Sequence, residues 1–428
     1  MKRALIILAL LGAGAAALVF WLGLRSDPGD ISMVSPLQTP AGLSVEERGH
    51  YLVRVGDCMA CHTRQGGADY AGGRMIPTPF GDFYSPNLTP DPETGLGNWS
   101  ADDFWKAMHE GRSRDGSLLY PAFPYTNYTK LSRDDSDTMF AYLRTLPAVK
   151  EARREHQLQF PYNYRFLLVG WRALFFRPGV YQPDSAQDEQ WNRGAYLVQG
   201  LGHCSACHEA RNALGAVQSR DNPAGGLVLN WYAPALAAPA EAGVQHWPKE
   251  DIVRLLRDGI APGASTLGPM AEVVYESLQH ASTQDLDAMA TYLKSLEPTQ
   301  PPPARGAVQV PTHAVDDMSK RGSLIYAEHC ASCHGDAGEG APPAAPALRG
   351  NRAVTMAAAV NPIRVVLFGG YAPGTAGNPR PFGMPPFGST LSNQDVADVL
   401  TYTRSAWGNQ GRPVSAAEVA RNRQGPLW

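Results

Sequence analysis

All six cysteines of this chain lie in three copies of one pentapeptide: Cys58-Met59-Ala60-Cys61-His62, Cys204-Ser205-Ala206-Cys207-His208 and Cys330-Ala331-Ser332-Cys333-His334. Cys-x-x-Cys-His is the attachment signature of c-type haem. The two thiols add across the porphyrin vinyl groups as thioethers, and the adjacent His ligates the iron. Other chemistries also use cysteine pairs. Structural zinc needs four nitrogen or sulfur ligands closing a tetrahedron. The remaining histidines (His50, His109, His156, His203, His246, His280, His313 and His329) do not stand at short spacing after the pairs. A redox dithiol would account for one Cys-x-x-Cys, but not for the His after all three. The sequence therefore predicts three covalently bound haems c. Their thioether residues are Cys58, Cys61, Cys204, Cys207, Cys330 and Cys333, and their proximal ligands His62, His208 and His334.

Each pentapeptide stands in a repeated frame. Arg48-Gly49, Arg193-Gly194 and Arg321-Gly322 open segments that read as helices running into the haem motifs. Ser132, Ser282 and Ser392 are each followed three positions on by Asp135, Asp285 and Asp395. This pattern resembles a capping box and predicts a closing helix in each unit. Tyr142, Tyr292 and Tyr402 stand ten positions after those serines and read as core packing. The frame places a first module at 41–150, a second at 185–298 and a third at 312–410. A proline-rich linker holding Pro301, Pro302 and Pro303 spans 299–311, and a tail spans 411–428. The linker at 151–184 contains an apolar stretch, residues 164–176, that reads as a helix too short to span a bilayer. Membrane interface, partner surface and internal packing are its three possible contacts.

Residues 4–24 carry no charge and follow Lys2 and Arg3. At roughly 1.5 Å per residue they reach about 31 Å, enough to cross a bilayer core. The basic start places the remainder outside the cytoplasm. An uncleaved anchor at 1–25 is expected, with a cleaved secretory signal as the alternative. The chain is 44% hydrophobic and 18% charged with a net charge of -3, so nothing points to nucleic acid.

An iron used for electron transfer usually takes a sixth ligand, and His/Met ligation raises its potential. Met270, after Gly268 and Pro269, and Met384, before Pro385 and Pro386, lie in Gly/Pro segments ahead of the closing helices. They are the candidate distal ligands of the second and third haems, while Met289, Met318 and Met356 read as core. The matching first segment is Tyr120-Pro121-Ala122-Phe123-Pro124-Tyr125, and Phe cannot ligate. For the first haem Met75, Met108 and His109 remain candidates beside an open iron.

Helix, haem motif, loop, distal ligand and closing helix together make the cytochrome c plan. The expected fold class is mainly α: three tandem cytochrome c-type domains plus an N-terminal transmembrane helix. More specific motifs lie at residues 84–91, 95–99, 119–125, 192–197, 204–216 and 382–387. On these, the chain after residue 40 resembles the triheme cytochrome c subunits of membrane-bound periplasmic alcohol, aldehyde and gluconate dehydrogenases. In that family the loop matching residues 120–125 often has Met where Phe123 stands, so the resemblance supplies no first distal ligand. It implies a relay of electrons from a molybdenum-, PQQ- or flavin-dependent catalytic subunit to ubiquinone or a terminal oxidase. The setting it implies is the periplasmic face of the bacterial inner membrane. The form here looks more like the subunits paired with molybdenum-type aldehyde or isoquinoline dehydrogenases. No Walker loop, metal-binding His pair or dinucleotide fingerprint supplies a catalytic centre. A haem enzyme using an open first iron, peroxidase- or reductase-like, is the competing reading.

Overall fold

The computed structural model describes residues 2–26, 40, 42–218, 224–300 and 309–423, and helices are its commonest regular element. The chain divides into two units, residues 1–206 with 211–217, and residues 207–210 with 218–428.

In the first unit α1 (Lys2–Leu24) is one uninterrupted helix, apolar over the 20 residues Leu5–Leu24. Helix α2 (Val45–Val55) starts at a complete capping box: Ser44 Oγ accepts from Glu47 N, and the Glu47 carboxylate accepts from Ser44 N at 2.9 Å. It ends at Gly56, and the first pentapeptide follows as its own short helix, Cys58–His62. A hairpin of β1 (Met75–Thr78) and β2 (Gly81–Tyr84) comes next. Residues 101–110 form α3 (Ala101–Trp105) continued by a π-helical turn, Lys106–Glu110. Helix α4 (Arg133–Leu143) closes the module from Ser132. Strand β3 (Gln157–Leu158) extends the hairpin from the following linker. Helix α5 (Leu167–Phe175) is shorter than the expected 164–176, because Tyr164 N donates to Pro161 O in a turn. Helix α6 (Glu189–Tyr196) runs through a π-helical turn, Leu197–Leu201, toward the second pentapeptide.

The second unit holds the hairpin of β4 (Gly226–Val228) and β5 (Trp231–Ala233), then α7 (Lys249–Asp258), α8 (Pro269–Glu276) and α9 (Thr283–Ser295). Helix α10 (Thr312–His329) leads into the third pentapeptide. Helix α11 (Val360–Phe368) precedes β6 (Gly370–Tyr371), which pairs with β7 (Gly383–Met384). Helix α12 (Asn393–Ser405) closes the module. Residues 411–423, expected within a tail, instead bear α13 (Ala416–Arg423). Val414 and Val419 are fully buried among Met318, Ile363, Leu367 and Val396. Residues 424–428 of that segment and Pro301, Pro302 and Pro303 of the linker lie outside the described residues.

The recurrent Arg-Gly pair explains how opening and closing helices meet. A Cβ on Gly49 would collide with Thr138 O and lie 2.6 Å from Tyr142 Cβ on α4. A Cβ on Gly322 would collide with Asp398 O and lie 2.9 Å from Tyr402 Cβ on α12. Glycine therefore permits the crossing, and Tyr142 and Tyr402, ten positions after Ser132 and Ser392, form its other side. The neighbouring arginines lock both pairs: Arg48 binds Asp134 at 2.7 Å and also Asp135, and Arg321 Nε binds Asp398 at 2.6 Å. Asp135 consequently does not return to the Ser132 backbone. Its carboxylate accepts from Arg48 and from Tyr196 Oη at 2.6 Å, leaving half a capping box. Gly322→Ala is expected to destabilise the third module by about 1–3 kcal/mol through overpacking. A lower denaturation midpoint measures the effect.

Candidate haem centres

Each pentapeptide histidine is held from behind by the same interaction. His62 Nδ1 lies 2.8 Å from Pro86 O, His208 Nδ1 2.7 Å from Pro234 O, and His334 Nδ1 3.1 Å from Pro346 O. A carbonyl only accepts, so Nδ1 carries the proton and Nε2 keeps its lone pair. This is the tautomer of a metal-ligating histidine whose second nitrogen donates to a carbonyl. Burial holds the pKa of all three rings below the usual histidine value, against a smaller opposing effect of the proline carbonyls. The neutral ring is therefore the favoured form.

The thiols complete a matching donor set. None of the six lies in a disulfide; Cys61 and Cys333 are exposed and the others half-buried. Burial pushes the Cys58 thiol up to about 12 and the Cys330 thiol to about 11. Two thiols outside any disulfide and one imidazole on a short segment fit haem c. Among the described residues, no group of three or more His, Cys, Asp or Glu is arranged to hold a bare metal ion, as zinc would require. The sequence reading missed the bracing carbonyls. Their signal was a shared Pro-x-Leu: Pro86-Asn87-Leu88, Pro234-Ala235-Leu236 and Pro346-Ala347-Leu348.

Met270 and Met384 are both half-buried, as the three histidines are. Met270 does not lie in a loop as expected. Gly268 turns the chain at φ 53, Pro269 opens α8, and Met270 is the second residue of that helix. A Cβ on Gly268 would lie 2.5 Å from the Trp231 ring, so the segment before Met270 packs on the strand leading to Pro234. Met384 lies in β7, and Phe382 N donates to Ala344 O at 2.8 Å, two residues before Pro346. Both methionine segments are thus tied to the loops that brace the histidines. Met289, Met318 and Met356 are buried core residues, as read.

The first centre differs. Phe123 is half-buried, with its ring 5.4 Å from Tyr128. Met75 is 43% exposed and opens β1 opposite Tyr84, two residues before the Pro86 that backs His62. Met108 and His109 are 4% and 0% exposed, enclosed in the π-helical turn. His109 stacks on Trp105 at 4.4 Å, and its Nδ1 is 2.8 Å from Thr129 O. Met108 and His109 are thus enclosed, unlike the half-buried Met270 and Met384.

Glu241 is a further residue that the sequence reading missed. Its buried carboxylate accepts from Tyr232 Oη at 2.8 Å and from Ala235 N at 2.7 Å, directly after Pro234. Burial raises its pKa above the usual carboxylate value. Glu241→Ala leaves that donor pair without its acceptor and is expected to cost about 1–3 kcal/mol. Denaturant titration reads the loss.

Residues 46–147 and 319–407 match the cytochrome c family model. The chain is 41% identical over 401 residues to one of the subunits of nicotinate dehydrogenase from Pseudomonas putida. That match covers 90% of the chain but 33% of the relative, so the chain spans about a third of that protein's length. It is 38% identical over 392 residues to the cytochrome c subunit of the quinone alcohol dehydrogenase of Gluconobacter oxydans, covering 88% of the chain and 82% of the relative. With the gluconate 2-dehydrogenase cytochrome c subunit of Pantoea cypripedii it shares 36% identity over 422 residues, covering 92% and 93%. The pentapeptides, their braced histidines and this near-full-length similarity agree: the chain belongs to the family of cytochrome c subunits of dehydrogenases.

Proposed function

We propose that this electron-transfer subunit carries three haems c, one at each pentapeptide, in three tandem cytochrome c-type modules. The observation that carries the reading is the proline-carbonyl brace repeated behind His62, His208 and His334. Bound haem supplies a reversible one-electron change at iron. The chain fixes each imidazole by its Nδ1–H, tethers each porphyrin through two thiols and covers it with a small apolar module. Met270 and Met384 are the distal ligands of the second and third sites. Full coordination keeps small reactants off those irons and raises their potential.

The partner is a catalytic dehydrogenase subunit oxidising an alcohol or aldehyde, by molybdenum, PQQ or flavin chemistry. The acceptor is ubiquinone or a terminal oxidase. The names of the relatives support a dehydrogenase partner, since two are cytochrome c subunits of alcohol and gluconate dehydrogenases. The body lies on the periplasmic face of the inner membrane, with α1 retained as its anchor. Retention is supported by how the end of α1 is built into the fold. Arg172 is 1% exposed and its Nε donates to Gly23 O at 2.9 Å, while Arg112 donates to Leu24 O. Arg25 donates to Phe176 O at 3.2 Å, and Ser26 Oγ to Glu110 at 2.6 Å. Removing α1 would leave a buried guanidinium short of an acceptor, which is costly. Beside this junction Phe166, Leu167 and Leu174 are exposed on or next to α5. An apolar helix face next to a membrane anchor suits the lipid interface.

Phe123 favours a second property: an iron at the first site without a protein ligand opposite His62. Carbon monoxide added to the reduced wild-type protein is then expected to bind one haem of three. Absence of any spectral shift contradicts it. Met270→Ala and Met384→Ala should each lower the potential of a single haem and open one further site to carbon monoxide. Potentiometry with EPR checks both. If neither variant alters an iron, the distal assignment is wrong.

A further inference from the structure

Helix α1 ends where its apolar run ends, and Arg25 is the first residue beyond the span Leu5–Leu24. Twenty residues at roughly 1.5 Å each reach about 30 Å, the thickness of a bilayer's hydrocarbon core. With Lys2 and Arg3 on the cytoplasmic side, Arg25 lies at the depth of the outer headgroups. A second arginine is held at the same depth. Arg25 Nη2 donates to Phe176 O at 3.2 Å, and Arg177 Nη1 donates to the same carbonyl at 2.9 Å and to Ala173 O at 3.0 Å. Two guanidiniums sharing one oxygen repel each other, and an anion between them relieves the repulsion.

Among the described residues no carboxylate supplies that anion. Glu110 at this junction accepts from Ser26 Oγ at 2.6 Å and pairs with Arg112 Nε at 3.1 Å. Arg112 and Arg172 in turn donate to Leu24 O and Gly23 O, the last carbonyls of α1. Arg177 is exposed and Arg25 half-buried, so both can meet a ligand from outside.

Beside the two cations the surface is apolar. Trp21 in the last turn of α1 is 64% exposed, as suits an aromatic residue at a membrane interface. Helix α5 abuts that turn, since a Cβ on Gly23 would collide with Val169 O. Phe166, Gly170 and Leu174 follow at a spacing of four and share one helical face. Phe166 and Leu174 are 68% and 64% exposed, and a Cβ on Gly170 would meet open space. A pair of cations at headgroup depth next to an apolar stripe matches a phosphate joined to acyl chains.

We propose that the junction of α1 and α5 binds one anionic phospholipid, its phosphate between Arg25 and Arg177 and an acyl chain along Phe166 and Leu174. This rests on the reading that α1 is retained as the anchor. Guanidinium groups hold phosphate by charge-assisted hydrogen bonds. A zwitterionic headgroup brings its own cation to the pair and is the poorer ligand.

The test uses the full chain purified in detergent, with an intact mass that shows whether α1 is present. Native mass spectrometry reads the binding of phosphatidylglycerol, phosphatidylcholine and inorganic phosphate. One phosphatidylglycerol should bind about 30-fold more tightly than phosphatidylcholine, as two arginines near a lipid surface imply. Arg25→Gln combined with Arg177→Gln should bring it to the phosphatidylcholine level. If that pair does not mature, Arg177→Gln alone, at an exposed position, should weaken phosphatidylglycerol about fivefold and leave phosphatidylcholine unmoved. Phe166→Ser with Leu174→Ser should weaken both lipids alike. Equal affinity for the two lipids, an unmoved preference in the arginine variants, or displacement of phosphatidylglycerol by equimolar inorganic phosphate would overturn the inference. So would loss of the lipid when the catalytic subunit docks, which would give this face to a protein. An intact mass lacking residues 1–24 would instead overturn the retained anchor.

Discussion

The structure depends on a hydrogen bond between a histidine nitrogen and a proline carbonyl, made three times. Each bond alone is worth only about 0.5–1.5 kcal/mol net. Its consequence is larger, because it decides which ring nitrogen is bare and where that nitrogen points. The acceptor is a main-chain carbonyl, so it belongs to the loop rather than to a side chain. The loops are in turn secured: Pro234 by Glu241 and by Gly268 against Trp231, Pro346 through Ala344 and Phe382. The Met270 and Met384 segments are thereby joined to the loops that brace His208 and His334.

The first and third modules use the same economy of parts. A glycine lets two helices cross, an arginine beside it binds the closing helix, and a serine caps that helix. Such small units bury limited apolar surface, and a haem in each core would supply much of what is missing. Buried charges hold elements together. Arg172 joins the end of α1 to the first unit.

Local patterns are legible in the sequence and long-range partnerships are not. The haem motifs, the serine caps, the opening glycines and the core methionines can be read because each depends on neighbours within a turn or two. The proline braces lie 24, 26 and 12 residues from their histidines, and only the recurrence of Pro-x-Leu hints at them. Gly268 and Pro269 read as breakers and suggest a loop for Met270, yet Pro at the first helical position starts α8. Asp135 has the spacing of a capping partner, but Arg48 and Tyr196 claim its carboxylate. Residues 411–423 carry too weak a pattern to show that Val414 and Val419 are core. At the first site Phe123 removes the expected signal, and Met75, Met108 and His109 cannot be ranked without their burial.

The most direct test is peptide mass mapping of the mature chain, purified from membranes of cells competent in cytochrome maturation. Three haems on one design require a tetrapyrrole on the peptide containing Cys58 and Cys61, another on that containing Cys204 and Cys207, and a third on that containing Cys330 and Cys333. A bare peptide at any of the three would contradict the claim that one braced-histidine arrangement serves three haems.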